Sequence, residues 1–225
     1  MENPILEVDL AVSSLHNVFF QLLAEQVQWC RDNISKSSKV CINIRDFPQA
    51  MEEFPQRVED FIKSFQTLDQ KPFALLFEDP TGKYLAQELG DMTKTIKYWM
   101  TEYNWADGHV FVHIHEKWGL ADSVQLECLL NGADGIWSSL ISTGAAYGHA
   151  SSAVTLMNLI RMGNEKVMDR YNGPAIRNAA IQGKNTFLHF RAHLLYEKSK
   201  RPAFSVPKQI SVVTSCLLLG ILCKQ

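Results

Sequence analysis

The sequence predicts an α/β domain in which parallel strands alternate with covering helices. Short apolar runs alternate with longer amphipathic stretches, and each pair of them repeats at roughly 30 to 40 residues, as in successive βα units. The chain has 225 residues, of which 46% are hydrophobic and 20% are charged. That composition is sufficient to bury the core of one globular domain.

About five βα units follow one another along the chain. The predicted strands cover residues 5–13, 39–46, 73–77, 109–115 and 135–140, and the predicted helices cover 17–34, 57–65, 86–101, 122–130 and 151–161. Right-handed crossovers between such strands allow an open doubly wound sheet or a closed barrel. No glycine-rich nucleotide-binding loop of the common types is present, which favours the barrel.

Charge and cysteine content exclude several classes of partner and compartment. The formal net charge is -2 and no long basic run occurs, so we expect neither nucleic acid nor a membrane as a partner. The 5 cysteines are widely spaced and form no Cys-x-x-Cys pair, which indicates a reducing, cytoplasmic location. The first residues do not have the pattern of a secretory signal, which agrees with that expectation. The apolar stretch 210–223 is shorter than the ~18 residues of a membrane span and is interpreted as a core or interface segment.

The segment 109–115 carries the pattern that points most directly to chemistry. Side chains alternate between the two faces of a strand, so His113 and His115 share one face, opposite Val112 and Ile114. In a barrel the histidines would then point inward at the carboxyl end of the strand, where barrel enzymes have their active sites. Two imidazoles at this spacing suit a divalent metal ion. The alternative is one hydrogen-bonded core histidine and one surface histidine.

A second pattern lies in the small residues between 144 and 152. They allow a close backbone approach to a ligand, the following helix start favours an anion, and His149 is a candidate third metal ligand. The alternative is a tight turn in which Ser151 or Ser152 caps the helix.

Arg45 lies near the end of the predicted strand 39–46, and its side chain is expected on the inward face. An inward guanidinium needs a carboxylate or phosphate, which either a substrate or an internal residue such as Asp79 would supply.

These residues resemble a known family, the HMGL-like or pyruvate carboxyltransferase-type metal-dependent barrels, which include hydroxymethylglutaryl-CoA lyase and isopropylmalate synthase. The resemblance covers roughly residues 5 to 165. It is carried by His113-Ile-His115, Gly119-Leu-Ala121, Gly132-Ala-Asp-Gly-Ile136, Gly148-His-Ala150, Asp79-Pro-Thr-Gly82 and Ser13-Ser-Leu-His16. Where the family has a metal-ligating Asn, this chain has His149, and Glu116 stands where Asp or Asn is common.

The resemblance implies a TIM-barrel-type (β/α)8 fold that is incomplete here. The family's opening strands carry an Arg-Asp pair that supplies a catalytic arginine and an acidic metal ligand, and nothing before Ile5 matches it. We therefore expect about five C-terminal βα units in a partial barrel domain, residues 1–182, followed by an unassigned irregular tail, residues 183–225.

The implied activity is that of a carbon-carbon lyase or acyltransferase acting on a keto-acid or 3-hydroxyacyl-CoA substrate. The resemblance assigns a divalent ion (Mg, Mn or Zn) to His113 and His115, with His149 as a third ligand. It makes Arg45, Asp79, Ser13 and His16 candidates for substrate contact and leaves the catalytic base unknown. Two alternatives stay open: a catalytically inactive homologue that acts as a partner subunit, with a homo-oligomer as one form of it, or a gene fragment.

Overall fold

The described part of the molecule is an all-parallel sheet with helices in the connections. The computed structural model describes residues 3–11, 17–144 and 147–199, except for the side chains of residues 17–21 and 188–199. The strands are β1 (Ile5–Val8), β2 (Cys41–Ile44), β3 (Ala74–Asp79), β4 (His109–Ile114) and β5 (Gly135–Ile136). The helices are α1 (Asn17–Asn33), α2 (Phe47–Glu53), α3 (Pro55–Ser64), α4 (Ala86–Glu102), α5 (Ala121–Leu130), α6 (Ser152–Arg161), α7 (Glu165–Arg170) and α8 (Gly173–Ser199).

The order of the strands in the sheet confirms the predicted fold class. The sheet has 5 strands in the order β1-β2-β3-β4-β5, and every neighbouring pair is parallel. Each strand therefore lies beside its predecessor in sequence, without the reversal of order that marks a doubly wound sheet. An α/β sheet that always adds strands in the same direction has the connectivity of part of a (β/α)8 barrel.

Two hydrophobic clusters lie on opposite faces of this sheet. On the helix side, Leu75, Phe77 and Val112 belong to the main core and have no exposed surface. On the opposite face, which we call the inner face, Leu76 and Phe111 pack in a smaller cluster with Cys41 and Ala74. Alternation along β3 and β4 produces both clusters. The same alternation decides which polar side chains reach the inner face.

The predicted elements all exist, with shifted ends. Helix α2 was not predicted; it starts directly after Asp46 with a proline in its first turn. Strand β5 has 2 residues rather than the six expected over 135–140, because the chain beyond Ile136 turns to make a single bridge between Ser139 and Ser151. Helix α8 runs through position 182, where we placed the end of the barrel domain, and that boundary stays a prediction.

Among residues 3–11, 17–144 and 147–199, no helix is both long enough and apolar enough to cross a bilayer.

Candidate metal centre

Strand β4 presents two histidines on the inner face, as its alternation predicts. Val112 and Ile114 are fully buried on the helix side, so His113 lies on the inner face with Phe111. His115 follows the end of the strand on the same side, and the ring centroids of His113 and His115 are 4.8 Å apart. The pair is thus located at the carboxyl end of the sheet, as expected.

His149 joins them from the loop that precedes α6. Backbone hydrogen bonds hold this loop against the end of β4: the Glu116 N–H donates to the Gly148 carbonyl and the Ala150 N–H donates to the Ile114 carbonyl, each over 2.9 Å. The His149 ring centroid is 4.7 Å from those of both His113 and His115. One candidate ligand atom from each of the three imidazoles lies within 4.8 Å of the others. We call this group the histidine cluster.

Glu78 supplies an acidic group to the histidine cluster. It is on the inner face next to His113 in the β3–β4 register. Its Oε1 lies 2.9 Å from His115 Nε2, and its Oε2 lies 3.8 Å from His113 Nδ1 and accepts a hydrogen bond from Asn43 Nδ2 over 3.1 Å. The sequence pattern led to the neighbouring Asp79 instead of Glu78. Side chains two residues apart in a strand share a face, so Glu78 lies on the same inner face as Leu76. A predicted strand two residues longer would therefore have identified Glu78.

The charges of the cluster favour a cation. Burial alone would raise the pKa of Glu78, but the hydrogen bond with His115 and the neighbouring His113 and Asn43 lower it to about 2. Burial lowers the pKa of His113 to about 3, against the opposing effect of Glu78, and burial also lowers the pKa of His149. At neutral pH the cluster therefore combines an ionised Glu78 carboxylate with uncharged imidazoles at His113 and His149. This is the protonation state in which such side chains bind metal.

The hydrogen bonding leaves ring nitrogens free for a ligand. An ionised carboxylate only accepts hydrogen bonds, so His115 Nε2 donates to Glu78, which leaves His115 Nδ1 as the nitrogen that faces away from the carboxylate. Among the described residues, His115 Nδ1, His113 Nε2 and His149 Nδ1 are buried and have no hydrogen-bond partner. Buried polar atoms are seldom unpaired. Three free nitrogen atoms in one cluster fit a divalent metal ion with imidazole ligands.

Glycine residues let two loops approach the cluster closely. A Cβ on Gly144 would lie 2.3 Å from His149 Nδ1, and a Cβ on Gly82 would lie 2.5 Å from the His115 carbonyl oxygen. Both glycines also have positive φ angles, +137° and +61° respectively, which other residues rarely adopt. The two turns and the histidines therefore pack as one unit.

The start of α6 does not form the anion site that the small residues suggested. The N–H groups of Ser152 and Ala153 donate to the carbonyls of Ser139 and Leu140, and the Val154 N–H donates to Ser151 Oγ. Because these donors are used within the protein, the anion-binding interpretation is wrong. Ser151 is the N-cap, as the alternative interpretation held.

The expected substrate contacts have different surroundings from those we predicted. Arg45 is half-exposed and pairs with Glu7 over 3.6 Å and Asp9 over 3.5 Å, so internal carboxylates do pair with it, as the second alternative held, but Asp79 is not one of them. Asp79 is fully buried on the helix side, since it alternates with Glu78. Its Oδ1 accepts hydrogen bonds from Thr81 and Gly82 in the turn after β3, which corrects its assignment as a substrate contact. Ser13 and His16 lie outside the described residues.

Comparisons with known proteins bear on the fold. No family model and no curated protein matches the sequence. Among solved structures, the chain is similar to the N-terminal domain of a candidate aldolase from Bacteroides vulgatus, with a TM-score of 0.59 and 14% sequence identity. The match covers 83% of this chain and 54% of that one, so this chain spans about half the length of the structure that it matches. The similarity supports the α/β fold of partial-barrel type; membership of the HMGL-like family stays a prediction.

Proposed function

We propose that the chain binds a divalent metal ion through His113, His115 and His149 and acts in carbon-carbon bond cleavage or formation next to a carbonyl group. One observation carries the proposal: the three imidazoles converge, and each has a buried ring nitrogen without a partner among the described residues. The location at the carboxyl end of a barrel-type sheet supports it, because barrel enzymes have their active sites there. The similarity to a candidate aldolase domain is consistent with this reaction class.

A divalent ion would act as a Lewis acid that polarises the substrate carbonyl and stabilises an enolate. The protein contributes the positions of the ligands. Glu78 accepts a hydrogen bond from His115 Nε2 and so fixes the ring orientation of that histidine, while Asn43 Nδ2 donates to Oε2 and holds the carboxylate in place. We propose as substrate the keto acid or 3-hydroxyacyl-CoA that the sequence resemblance implies.

Exposed aromatic residues lie close in sequence to both histidine segments, Trp118 after His115 and Tyr147 before His149, and are candidate substrate contacts. Trp118 is 63% exposed and Tyr147 is 59% exposed. Lys117 Nζ lies between them, 5.2 Å from the Trp118 ring centroid and 4.7 Å from that of Tyr147. A cation supported by two aromatic rings suits a substrate with a carboxylate or phosphate group.

The first experiment is metal analysis of the purified protein. We expect about one divalent ion per chain by elemental analysis, as expected for a site built from three imidazoles, and loss of that ion in the His113→Ala/His115→Ala variant. The His109→Ala variant is the control, since His109 is on the same strand face but outside the cluster. Equal metal content in all three proteins would contradict the proposal. A metal-loaded protein would then be screened for retro-aldol cleavage of 4-hydroxy-2-oxo acids and 3-hydroxyacyl-CoA thioesters.

A second candidate function is that of a subunit completed by a partner. In the described part of the chain, β1 and β5 each have a neighbouring strand on one side only. Outer strands with free backbone groups are sites where further strands add. Sedimentation over a range of concentrations tests this candidate: reversible association supports it, and a monomer with full activity contradicts it.

A further inference from the structure

A cleft at the opposite end of the sheet has a basic lining. It is formed by the loops that precede β2, β3 and β4, has a volume of about 390 Å³, and is thus at the amino ends of the strands, away from the histidine cluster. Its lining includes four cationic side chains, Arg31, Lys36, Lys39 and Lys71, and two acidic ones, Asp69 and Asp107. The protein as a whole has a formal charge of -2, so this excess of positive charge is local.

Arg31 is a buried cation without an acidic partner. It is 9% exposed, and its Nη1 and Nη2 atoms donate to the carbonyl oxygens of Gln70 and Lys71 over 2.5 and 2.6 Å. Within the part of the chain that the structure describes, no carboxylate forms an ion pair with it. Burial lowers the Arg31 pKa, as expected of a charge whose desolvation is not offset. Buried charges normally have a counter-ion, which indicates that one is supplied from outside the described residues, and a bound ligand can provide it.

Ser38 gives a second, independent indication that the cleft binds an anionic ligand. It is 6% exposed, lines the same cleft, and its Oγ has no hydrogen-bond partner among the described residues. A hydroxyl in this state is a ready donor to an oxyanion. Phe73 also lines the cleft, with Lys39 Nζ 4.4 Å from its ring centroid, and Pro72 and Trp105 add apolar surface.

We infer that this cleft binds a small molecule that carries an oxyanion, a phosphate or a carboxylate, attached to an apolar or aromatic group. The uncompensated Arg31 and the unpartnered Ser38 hydroxyl receive the oxyanion, with Lys36 and Lys71 adding charge from the rim. The volume is in the range of small-molecule sites, which is roughly 300 to 1,000 Å³. The site is independent of the metal proposal, since it lies at the other end of the sheet.

Calorimetric titration of the full chain at constant ionic strength tests the inference, with phenyl phosphate, inorganic phosphate and benzoate as probes. We expect saturable binding of one equivalent, with phenyl phosphate tighter than inorganic phosphate. The benzoate titration distinguishes a carboxylate site from a phosphate site. Lys36→Gln/Lys71→Gln is expected to weaken binding about tenfold or more, because each lost contact is a charge-assisted hydrogen bond. The control Lys94→Gln/Lys166→Gln removes two exposed lysines elsewhere and is expected to leave affinity unchanged.

Ser38→Ala separates a binding role from a structural one. Since the Ser38 hydroxyl has no hydrogen-bond partner among the described residues, we expect unchanged thermal stability and about tenfold weaker binding. Binding should also persist in His113→Ala/His115→Ala, which distinguishes this cleft from the histidine cluster. Non-saturable binding, equal affinity in the two lysine double variants, or binding lost with the histidines would each overturn the inference.

Discussion

Gly144 has no side chain at the point where the His149 imidazole lies, and this makes it a sensitive probe of the histidine cluster. In Gly144→Ala the new Cβ would meet His149 Nδ1 at 2.3 Å and move the ring. We expect metal affinity to fall about 10- to 100-fold, as for other changes that misplace a ligand. Competition with a chelating dye measures the affinity.

Gly163→Ala is the matched control for this substitution. Gly163 also has a positive φ, +79°, but a Cβ there has no atom within 4 Å. Both variants therefore carry backbone strain, and one alone disturbs the cluster. Equal metal affinity in the two variants would show that His149 is not a ligand.

Glu78 gives a second prediction at the scale of the residue. Glu78→Gln keeps the size of the side chain but removes the charge that orients His115 through Nε2. We expect roughly 10- to 100-fold weaker metal binding with the fold retained. Glu102→Gln, an exposed change at the end of α4, is the control. A Glu78→Gln protein with wild-type affinity would remove Glu78 from the site.

Single residues also show what the sequence could and could not predict. His113 and His115 were predictable because alternation along one strand fixes their side. His149 was a weaker prediction, since a loop brings it to the cluster. Glu78 was missed because β3 extends to Asp79, two residues beyond the predicted end, and that shift decides which of two adjacent carboxylates points inward.

At the scale of elements, Asp134 joins α4 to β4. Its Oδ2 accepts hydrogen bonds from the Val110 N–H over 2.8 Å and from Lys97 Nζ over 2.9 Å. Asp134→Ala leaves the buried Val110 N–H without a partner, so we expect a loss of about 2 kcal/mol in the free energy of unfolding. Lys97→Met removes the ion pair and a long hydrogen bond from Nζ to the Gly108 carbonyl but leaves the Val110 N–H paired, and such an ion pair is worth less than about 1 kcal/mol at a partly exposed position. Urea denaturation compares the two variants. A larger loss in Lys97→Met would reverse this assignment.

The succession of strands and helices was predictable from hydrophobic period, but the ends of the elements were not. Strand β5 has 2 residues, because the chain after Ile136 leaves the sheet and forms a bridge between Ser139 and Ser151, which are distant in sequence. A local pattern contains no information on such contacts. Helix α2 was not predicted because its 7 residues are too few to show a helical hydrophobic period.

At the scale of the whole molecule, the free cysteines report on the integrity of the fold. Cys30, Cys41 and Cys128 are buried, and burial raises the pKa of Cys41 and of Cys128 to about 12. The thiolate is the reactive form. In a Cys216→Ser/Cys223→Ser variant at pH 8, we expect no rapidly reacting thiol in the native protein and 3 in denaturant. A native thiol that reacts at once would contradict the described packing.

The same thiols give a dependence of stability on pH. The pKa of Cys41 and Cys128 is raised from 9.0 on folding. The unfolded chain therefore loses these protons first as the pH rises. Their contribution is complete below about pH 9 and declines between pH 9 and 12. Urea midpoints at pH 8 and pH 9.5, compared with those of Cys41→Ala/Cys128→Ala, measure this decline.

The backbone hydrogen bonds between the end of β4 and the His149 loop allow the local opening of the site to be measured by hydrogen exchange. The amide protons of Glu116 and Ala150 are held by carbonyls of the opposite segment, so both exchange with solvent when the two segments separate. A ligand that links the three imidazoles would oppose that separation. Metal would then slow deuterium uptake at these two positions together and leave the amino ends of the strands unchanged.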